Sequence, residues 1–565
     1  MRKWIRAIST GVLWLFLFGI YGAAGPTIDA KIGFGGFHAV DQAALIKLTL
    51  SGLTPGFSGS LVLRQIVGNP WIGEGTMETR LVVPAGTGAI YSRQTVIVLH
   101  RSNHLFEIIL YNDAEDPVAS WQHNLRPFLR EERFPLIVGD IALDLDKDPV
   151  ILATNALPSD WRAYGPISVL LFGRFTPPPL SLEQWIAIAK WIHSGGRLTL
   201  FTGSDFFLHD SSILRDLLPL KNPVVTTDAA GLSILTGKLR DDAIVKSRDG
   251  NRPLLVTIRH GKGELLLITR RSFDLSSQQK AALVPLIAAP RPAPDIGLAA
   301  DQLAQMTVER PSRWATLAVV GAVLISFSII TLRVRQRRLI LPFFIGATII
   351  IAVLSGLHSN RPVFLLDAYA IRTSFNVQAL YGFSIVSYGL FTPQSAKINL
   401  KVRDNDLINP VLAGRPPSLT RIEEDGKLVI TMRDAERCYL VVKRARSLPI
   451  KFQLEGEAVV SVTNDLPHSL RQPFLIRDAM VYPLETIAPG ISVVTYANEM
   501  GTYLQAAVDA YWPEYLHRLS QKVDIDITIG TWLIGYVLSE RIEHWGETSV
   551  KVRDISLYLV RQRGP

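Results

Sequence analysis

Two long apolar segments separated by a cluster of arginines constrain this chain more than any other feature of its sequence. Residues 314–332 and 339–357 carry no charged side chain, and residues 333–338 contain four arginines. As an α-helix, each segment would extend over about 28 Å, close to the thickness of a bilayer core. Short basic loops stay on the cytoplasmic side. The sequence therefore predicts a transmembrane helical hairpin that anchors the protein in the lipid bilayer of a bacterial cytoplasmic (inner) membrane.

The N-terminus has the pattern of a signal peptide. Residues 1–24 begin with a basic stretch, continue with an apolar one and end with small residues at Gly22, Ala23 and Ala24. This order is typical of a secretory leader, although an uncleaved anchor with the same orientation has the same pattern. In either case, residue 26 onward is expected outside the cytoplasm. Both long segments that flank the hairpin are then predicted to be extracytoplasmic.

Composition limits the number of domains and the kinds of site. A chain of 565 residues with 48% hydrophobic and 19% charged residues fits several folded domains plus a few membrane segments. Cys438 is the single cysteine, so neither an intramolecular disulfide nor a cysteine-based zinc or iron–sulfur site is possible. Outside the arginine loop the basic residues that give a net charge of +9 are scattered. We therefore expect no nucleic-acid partner.

Four regions follow from the periodicity of the sequence. Residues 26–130 alternate apolar and polar side chains between turns, which predicts an antiparallel β-sandwich. Residues 131–287 alternate buried strands with helices, which predicts a doubly wound, parallel α/β domain. Residues 288–313 form a linker rich in proline and alanine. Residues 358–565 return to short strands and predict a second, β-rich domain.

Several segments of the α/β region carry a resemblance to a known fold. They are the strand at 167–175, the helical run at 182–192, the pair Gly195-Gly196 before the strand RLTLFTG, and the closing sequence Gly-Lys-Gly-Glu at 261–264. Together they resemble the class I glutamine amidotransferase-like domain, in the form found in bacterial membrane proteins of unassigned function. The resemblance implies flanking β domains and covers most of the chain by pattern and order. It also predicts that PLIVGDIA, ISVLLFGRF and RLTLFTG are parallel neighbours in one sheet.

The resembled amidotransferases use a cysteine nucleophile at a sharp strand-to-helix turn, and a His-Glu pair on a later loop activates it. Here the corresponding residues 200–204 read Leu-Phe-Thr-Gly-Ser, without a cysteine. Cys438 lies in a different region and is interpreted as a small buried hydrophobic residue. The amidotransferase reaction is therefore not expected, and the predicted domain is a degenerate member of that fold.

A serine-based site is the alternative. Ser204 follows the strand, and His260 and Glu264 lie in the later turn, so these three residues could form a Ser-His-Glu set. The G-x-S-x-G pattern of a nucleophile elbow is missing around Ser204. Ser204 is equally well suited to cap a helix, and His260 to begin a hairpin turn. We predict that Ser204 caps its helix and that His260 lies beyond hydrogen-bonding distance of it.

Metal and cofactor sites are not expected. Residues 144–148 resemble the start of a calcium loop, but Pro149 and Asn155 replace the glycine and the glutamate that such a loop requires. His193 precedes Ser-Gly-Gly and is predicted to end a helix, where a cation interacts favourably with the helix dipole. No Walker loop, HExxH or dinucleotide-binding glycine motif occurs.

Three functions remain compatible with the sequence. The first is a non-catalytic interaction or assembly role for a membrane-anchored protein, with other envelope proteins or a glycan as partners. The second is an envelope glycan or peptide hydrolase or amidase that uses Ser204, His260 and Glu264. The third is an accessory subunit of a membrane transporter. The missing catalytic cysteine favours the first, on the analogy that β-sandwiches are often binding modules.

Overall fold

The structure is a computed structural model. It describes residues 25–562 with these gaps: 70–72, 87, 101–104, 146–147, 175–178, 203–210, 289–364, 377–381, 393–394, 402–405, 412–416, 434–436, 447, 456–458, 478–479, 496–530 and 546–547.

Strands make up most of the described chain. Those of the first half are β1 Thr27–Ile32, β2 His38–Ala39, β3 Gln42–Ser51, β4 Gly59–Asn69, β5 Gly73–Val83, β6 Ile90–Leu99, β7 Leu105–Asn112, β8 Pro117–Asn124, β9 Leu129–Arg130, β10 Phe134–Val138, β11 Val150–Leu152, β12 Ile167–Phe172, β13 Arg197–Phe201, β14 Leu220–Thr227, β15 Ser233–Leu239, β16 Ile244–Asp249, β17 Arg252–His260 and β18 Gly263–Ile268.

The second half continues with β19 Leu365–Asn376, β20 Gly382–Phe391, β21 Ala396–Lys401, β22 Leu407–Val411, β23 Leu419–Ile422, β24 Lys427–Met432, β25 Arg437–Arg446, β26 Ile450–Leu454, β27 Val459–Asn464, β28 Arg471–Arg477, β29 Met480–Pro483, β30 Gly490–Thr495, β31 Trp532–Trp545 and β32 Thr548–Arg561. The α-helices are α1 Leu182–His193, α2 Ser212–Leu217 and α3 Ser277–Ala288, and short 3-10 helices occur at Arg126–Phe128, Thr154–Ala156, Trp161–Tyr164 and Ser272–Asp274.

A seven-stranded sheet lies at the centre of the α/β region, in the order β11-β10-β12-β13-β18-β17-β16. The strands from β11 to β18 are parallel, and β17 and β16 add an antiparallel edge. All residues of β10 and β13 are buried, as expected for strands covered on both faces. The prediction that β10, β12 and β13 are parallel neighbours is confirmed.

Helices α1 and α3 are the main helical cover of this sheet. The apolar face of α1 shares a hydrophobic cluster with β10 and β12 through Leu136 and Phe172, and α3 contributes Leu283 to a separate cluster that contains Ile137 and Leu171. Because neighbouring residues of a strand point to opposite faces, the two helices lie on opposite sides of the sheet. Ser181 starts α1 with a capping box.

One sheet joins the two ends of the chain. Its order is β21-β24-β23-β5-β4-β7-β8, and the contact between the two halves is the parallel pairing of β5 with β23. At this seam the buried carboxylate of Glu78 accepts from Arg64 at 2.9 Å and from Arg421 at 2.8 Å. A carboxylate between two guanidinium groups supplies charge-assisted hydrogen bonds across the seam. The regions 26–130 and 358–565 therefore share a continuous sheet.

A second contact connects the eight-stranded sheet β22-β25-β20-β19-β32-β31-β28-β29 to the α/β region. The rings of Trp161 and Phe383 meet edge to face with their centroids 5.5 Å apart. Beside them, Arg162 donates to the backbone oxygen of Asp406 at 3.1 Å, and the Asp406 carboxylate accepts from Arg444 at 2.7 Å. Packing and charge pairing thus hold β20 and β25 against the start of the α/β sheet.

The predicted fold class needs correction. The described residues form a β-rich assembly of several sheets with few helices, rather than a series of separate α/β and β domains around a helical hairpin. The reason is long-range strand pairing, which period-two patterns do not reveal and which fuses regions that the sequence separated.

The predicted membrane hairpin and signal peptide are also unsupported. In the described part of the chain, no helix is long and apolar enough to cross a membrane. The longest α-helices there, α1 and α3, have 12 residues and extend over about 18 Å. The segments 1–24, 314–332 and 339–357 themselves lie outside the described residues.

Candidate functional site

Parallel α/β sheets usually bind ligands at the carboxyl ends of two strands whose connections run in opposite directions. In this sheet β11 lies on one side of β10 and β12 lies on the other. The connections therefore change direction between β10 and β12, and a ligand site is expected at the carboxyl ends of these two strands. The residues that follow these strands are Gly139-Asp140 and Gly173-Arg174. This carboxyl edge is the first place to look for a site.

Backbone hydrogen bonds close this position. Asp140 and Arg174 exchange two bonds of 3.0 Å, and the Gly173 amide donates to Val138 at 3.0 Å. The approach is so close that a Cβ on Gly173 would lie 2.2 Å from the Asp140 oxygen. The two loops are therefore joined directly to each other where a ligand would enter a typical α/β fold.

Nearby charge at the carboxyl edge is also paired. Arg270, just after β18, contacts Asp228 at 3.0 Å and Asp249 at 2.7 Å. After β13, the hydroxyl of Thr202 donates to the Ile268 oxygen at 2.8 Å and is buried. These groups are engaged in contacts within the protein.

His260 and Glu264, two residues of the serine hypothesis, lie at the amino edge of the sheet. Ser204 lies outside the described residues, but Thr202, two positions earlier, follows the carboxyl end of β13. Glu264 pairs in register with Arg197 at the amino end of β13, five residues before Thr202. Five strand residues extend over about 16 Å, whereas two residues reach at most about 7 Å. Thr202 and Glu264 are therefore separated by the length of β13.

His260 is buried and engaged in a structural contact. Its Nε2 lies 2.7 Å from the backbone oxygen of Leu217. Because a carbonyl oxygen only accepts, Nε2 carries the proton and donates it. Burial lowers the pKa of His260 to about 4, so the ring is neutral at pH 7. His260 therefore fixes α2 against the end of β17.

Glu264 also has a structural partner. Its Oε1 lies 2.5 Å from the Nε of Arg197, and both side chains are largely buried. Arg197 in addition donates to the Ile287 oxygen of α3 at 3.2 Å. An ionised carboxylate held by a guanidinium is poorly placed to orient a catalytic histidine.

The Gly-Lys-Gly-Glu turn owes its glycines to a close backbone approach. A Cβ on Gly263 would lie 1.9 Å from the Ile192 oxygen and 2.3 Å from the Gly196 oxygen. The Lys262 amide donates to the His193 oxygen at 3.2 Å, so the turn rests on the last carbonyls of α1. These contacts satisfy helix-end acceptors, which gives the motif a structural role.

The end of α1 partly matches its prediction. His193 is the last helical residue, as predicted, and Gly195 follows with a φ of +124°, in the left-handed region that favours glycine. The predicted interaction of a charged His193 with the helix dipole is wrong. Burial, and secondly the neighbouring His260, lower the pKa of His193 to about 3, so its ring is neutral.

Cys438 and the acidic residues of the calcium-loop-like segment 144–148 are the remaining candidates from the sequence. Cys438 is buried in a hydrophobic cluster with Leu390 and Leu440, as interpreted from the sequence. Asp144 and Asp148 are exposed, and Asp146 lies in a gap of the description. No group of three or more His, Cys, Asp or Glu suited to a metal ion occurs in the described part of the chain.

The sequence reasoning missed a group of cations at the opposite, amino edge of the sheet. Arg133 precedes β10 and Lys262 precedes β18, and burial, followed by the charges of these two residues, lowers the pKa of Lys443 on β25. A signal was present, because Lys443 alternates with Val441 and Ala445 on one face of its strand. A lysine at an inward position of a strand is a polar group that needs an explanation.

Comparison with known proteins adds little. No protein-family model matches the chain, and no curated protein sequence matches it either. A solved cytoplasmic protein from Salmonella typhimurium LT2 aligns over its whole length with 28% of this chain, at 10% identity and a TM-score of 0.22. A likeness at that level supports no conclusion about fold or function, and the amidotransferase-like resemblance stays a prediction.

Proposed function

We propose that this protein is a non-catalytic interaction or assembly component. The observation that carries the proposal is the engagement of the candidate catalytic groups. His260 donates to Leu217, and Glu264 pairs with Arg197 at the edge of the sheet opposite to Thr202. A hydrolase would need the nucleophile within about 3 Å of its base and an oxyanion pocket beside them. The extracytoplasmic location stays a prediction.

An exposed strand supports an interaction role. Strand β30 pairs with β27, and this is its only strand neighbour in the described residues. On its outer face Ile491 is 78% exposed and Val493 is 64% exposed. Natural sheets usually protect such edges with charge or with a bulge. The partner that fits this surface is an extended segment of another protein, which would add a strand to β30 and cover the two apolar side chains.

The proposal is tested by photo-crosslinking. A photoreactive residue at Val493 is expected to give a discrete adduct in the cells that make the protein. The matched control is Val224, which is 54% exposed on the small sheet β14-β15. Adducts of equal pattern from both positions, or none from Val493, would contradict the use of β30.

An enzymatic assay tests whether the protein is non-catalytic. The purified protein is expected to show no turnover of peptide, ester or glycan substrates. Turnover that Ser204→Ala abolishes would establish the hydrolase alternative and remove this proposal. Stable co-purification with an ATPase would instead identify the accessory-subunit alternative.

A further inference from the structure

The edge strands of the sheets differ in how they are protected against further strand pairing. Most carry a lysine or an arginine, others contain a proline, and the rest are very short. Natural sheets use these same features to prevent unwanted pairing. The edge strands with a basic residue are β1, β6, β14, β15, β16, β21 and β26, those with a proline are β8, β14, β22 and β29, and those of two or three residues are β2, β9 and β11.

Strand β30 has none of these features. Its six residues, Gly490–Thr495, include no charged residue and no proline, and its pairing with β27 continues without a bulge. Among the edge strands that the structure describes, it is the one strand longer than three residues of which this is true. In the described part of the chain, β30 is therefore the edge best suited to accept another strand.

The two faces of β30 have different surroundings. Val494 packs against the hydrophobic cluster that contains Val460 and Val462 of β27. Ile491 and Val493 lie on the other face, because side chains alternate along a strand, and they are 78% and 64% exposed. A strand added to β30 would extend the sheet and could cover these two apolar side chains.

We propose that the strand added to β30 is β30 of a second copy of this chain, antiparallel to the first about a two-fold axis. The inference rests on the proposed use of β30 as an interaction edge and names the strand that covers it. A two-fold interface uses the same surface on both molecules, so the surface must be complementary to itself. Strand β30 meets this condition, because it carries no charge that would repel its own copy.

The alternation of side chains restricts the register of this pair. Directly opposed residues of antiparallel strands lie on the same face, so Ile491 and Val493 oppose outward-facing residues of the second copy. With Ser492 on the two-fold axis, Ile491 of each copy opposes Val493 of the other, and all four apolar side chains meet. With Val493 on the axis, Ile491 opposes Thr495 instead. With Ile491 on the axis, Val493 opposes Pro489, which has no amide to donate. The register centred on Ser492 is therefore favoured, because it covers the most apolar surface.

Sedimentation velocity of the full chain tests whether the pair forms. Stable interfaces bury at least about 1,200 Å², more than a strand of six residues covers, so we expect a weak dimer that dissociates on dilution. Val493→Lys should raise the Kd of this dimer at least about tenfold, because a lysine on an edge strand opposes pairing. The matched control is Val224→Lys on β14, where the valine is 54% exposed, and it should leave the Kd unchanged. A monomer at every concentration, or equal effects of the two substitutions, would overturn the proposal.

Cysteine crosslinking of the purified full chain tests the register. Opposed residues of antiparallel strands have Cα atoms about 4.5–5.5 Å apart, within the range of a disulfide. Ser492→Cys should therefore give a covalent dimer under mild oxidation. In Val493→Cys the two cysteines are diagonal neighbours about 7–8 Å apart and should crosslink far less. The native Cys438 is buried and should add little background. Stronger crosslinking through Val493→Cys than through Ser492→Cys, or none through Ser492→Cys, would overturn the proposal.

The photo-crosslink at Val493 separates this inference from the proposed function on which it rests. An adduct with twice the mass of the chain supports self-pairing. An adduct with a different protein overturns self-pairing but retains β30 as an interaction edge. The absence of any adduct removes both.

Discussion

The two edges of the parallel sheet differ in how they use charge. At the carboxyl edge, Asp140 and Arg174 close the loops by backbone bonds, and Arg270 is neutralised by two carboxylates. At the amino edge, the neutral histidines His193 and His260 and the glycine turn pack on the end of α1. In the described residues, the edge that α/β folds usually use for ligands is thus closed between β10 and β12. The amino edge is held instead by buried neutral side chains and close backbone contacts.

The largest loss of stability is expected from a substitution in the turn at the amino edge. Gly263→Ala should destabilise the protein by roughly 3–5 kcal/mol, because the new methyl group would meet backbone oxygens that cannot move independently. Denaturant unfolding measures the change. Gly88→Ala is the control, since a Cβ there meets nothing within 4 Å. Similar losses in the two variants would show that the turn is not tightly packed.

Acid titration tests the buried histidines of the same edge. For His260 the folded pKa of about 4 lies below the unfolded value of 6.5, so the unfolded state binds the proton first as pH falls. Its stabilisation is present above pH 6.5 and is lost between pH 6.5 and about 4, by roughly 3 kcal/mol. His193 and His38 should add losses of the same sign.

Unfolding free energies measured from pH 8 to pH 4 give the slope. His260→Gln keeps a donor for the Leu217 oxygen. The slope of its unfolding free energy against pH should fall by the amount that corresponds to one bound proton. An unchanged slope in that variant would mean that His260 is not buried as a neutral ring.

A pair of charge substitutions compares the two edges directly. Glu264→Gln removes the partner of a largely buried Arg197 and should cost roughly 2–3 kcal/mol. Asp249→Asn at the carboxyl edge should cost less than about 1 kcal/mol, because Asp228 still neutralises Arg270 and Asp249 is 37% exposed. Both values come from denaturant unfolding. Equal costs would remove the contrast between the edges.

A smaller effect than that of Glu264→Gln is expected at the end of α1. Gly195→Ala places a side chain at a φ of +124°, and its nearest new neighbour is the Cβ of Lys262 at 3.7 Å. The cost is therefore backbone strain alone, about 1 kcal/mol. A melting curve of the variant measures it. A loss as large as that of Gly263→Ala would indicate a clash that the distances do not contain.

The sequence predicted the parallel sheet and α1 correctly because both depend on patterns within short stretches of the chain. The helical spacing of the residues from Leu182 to Ile192 and the Gly195-Gly196 pair describe one element and its end. Strands joined by a helical crossover are parallel by construction, so β12 and β13 followed from the same pattern.

The arrangement of candidate groups could not be predicted in the same way. The positions of Ser204 after a strand and of His260 and Glu264 in a later turn suggested a set, but strand direction places Thr202 and Glu264 at opposite edges. The pairing of β5 with β23 depends on contacts over hundreds of residues. Side-chain period alone carries no information about such partners.

The pairing of β5 with β23 has a consequence for biosynthesis. About 340 residues separate Val83 from Leu419. At 5–20 residues per second, a ribosome needs roughly 20–70 s to make them. During that interval β4 and β7 can already pair, while the outer edge of β5 presents unused amide and carbonyl groups to any extended peptide nearby. A nascent chain with this topology would gain from a chaperone that covers the β5 edge until residues 419–422 emerge.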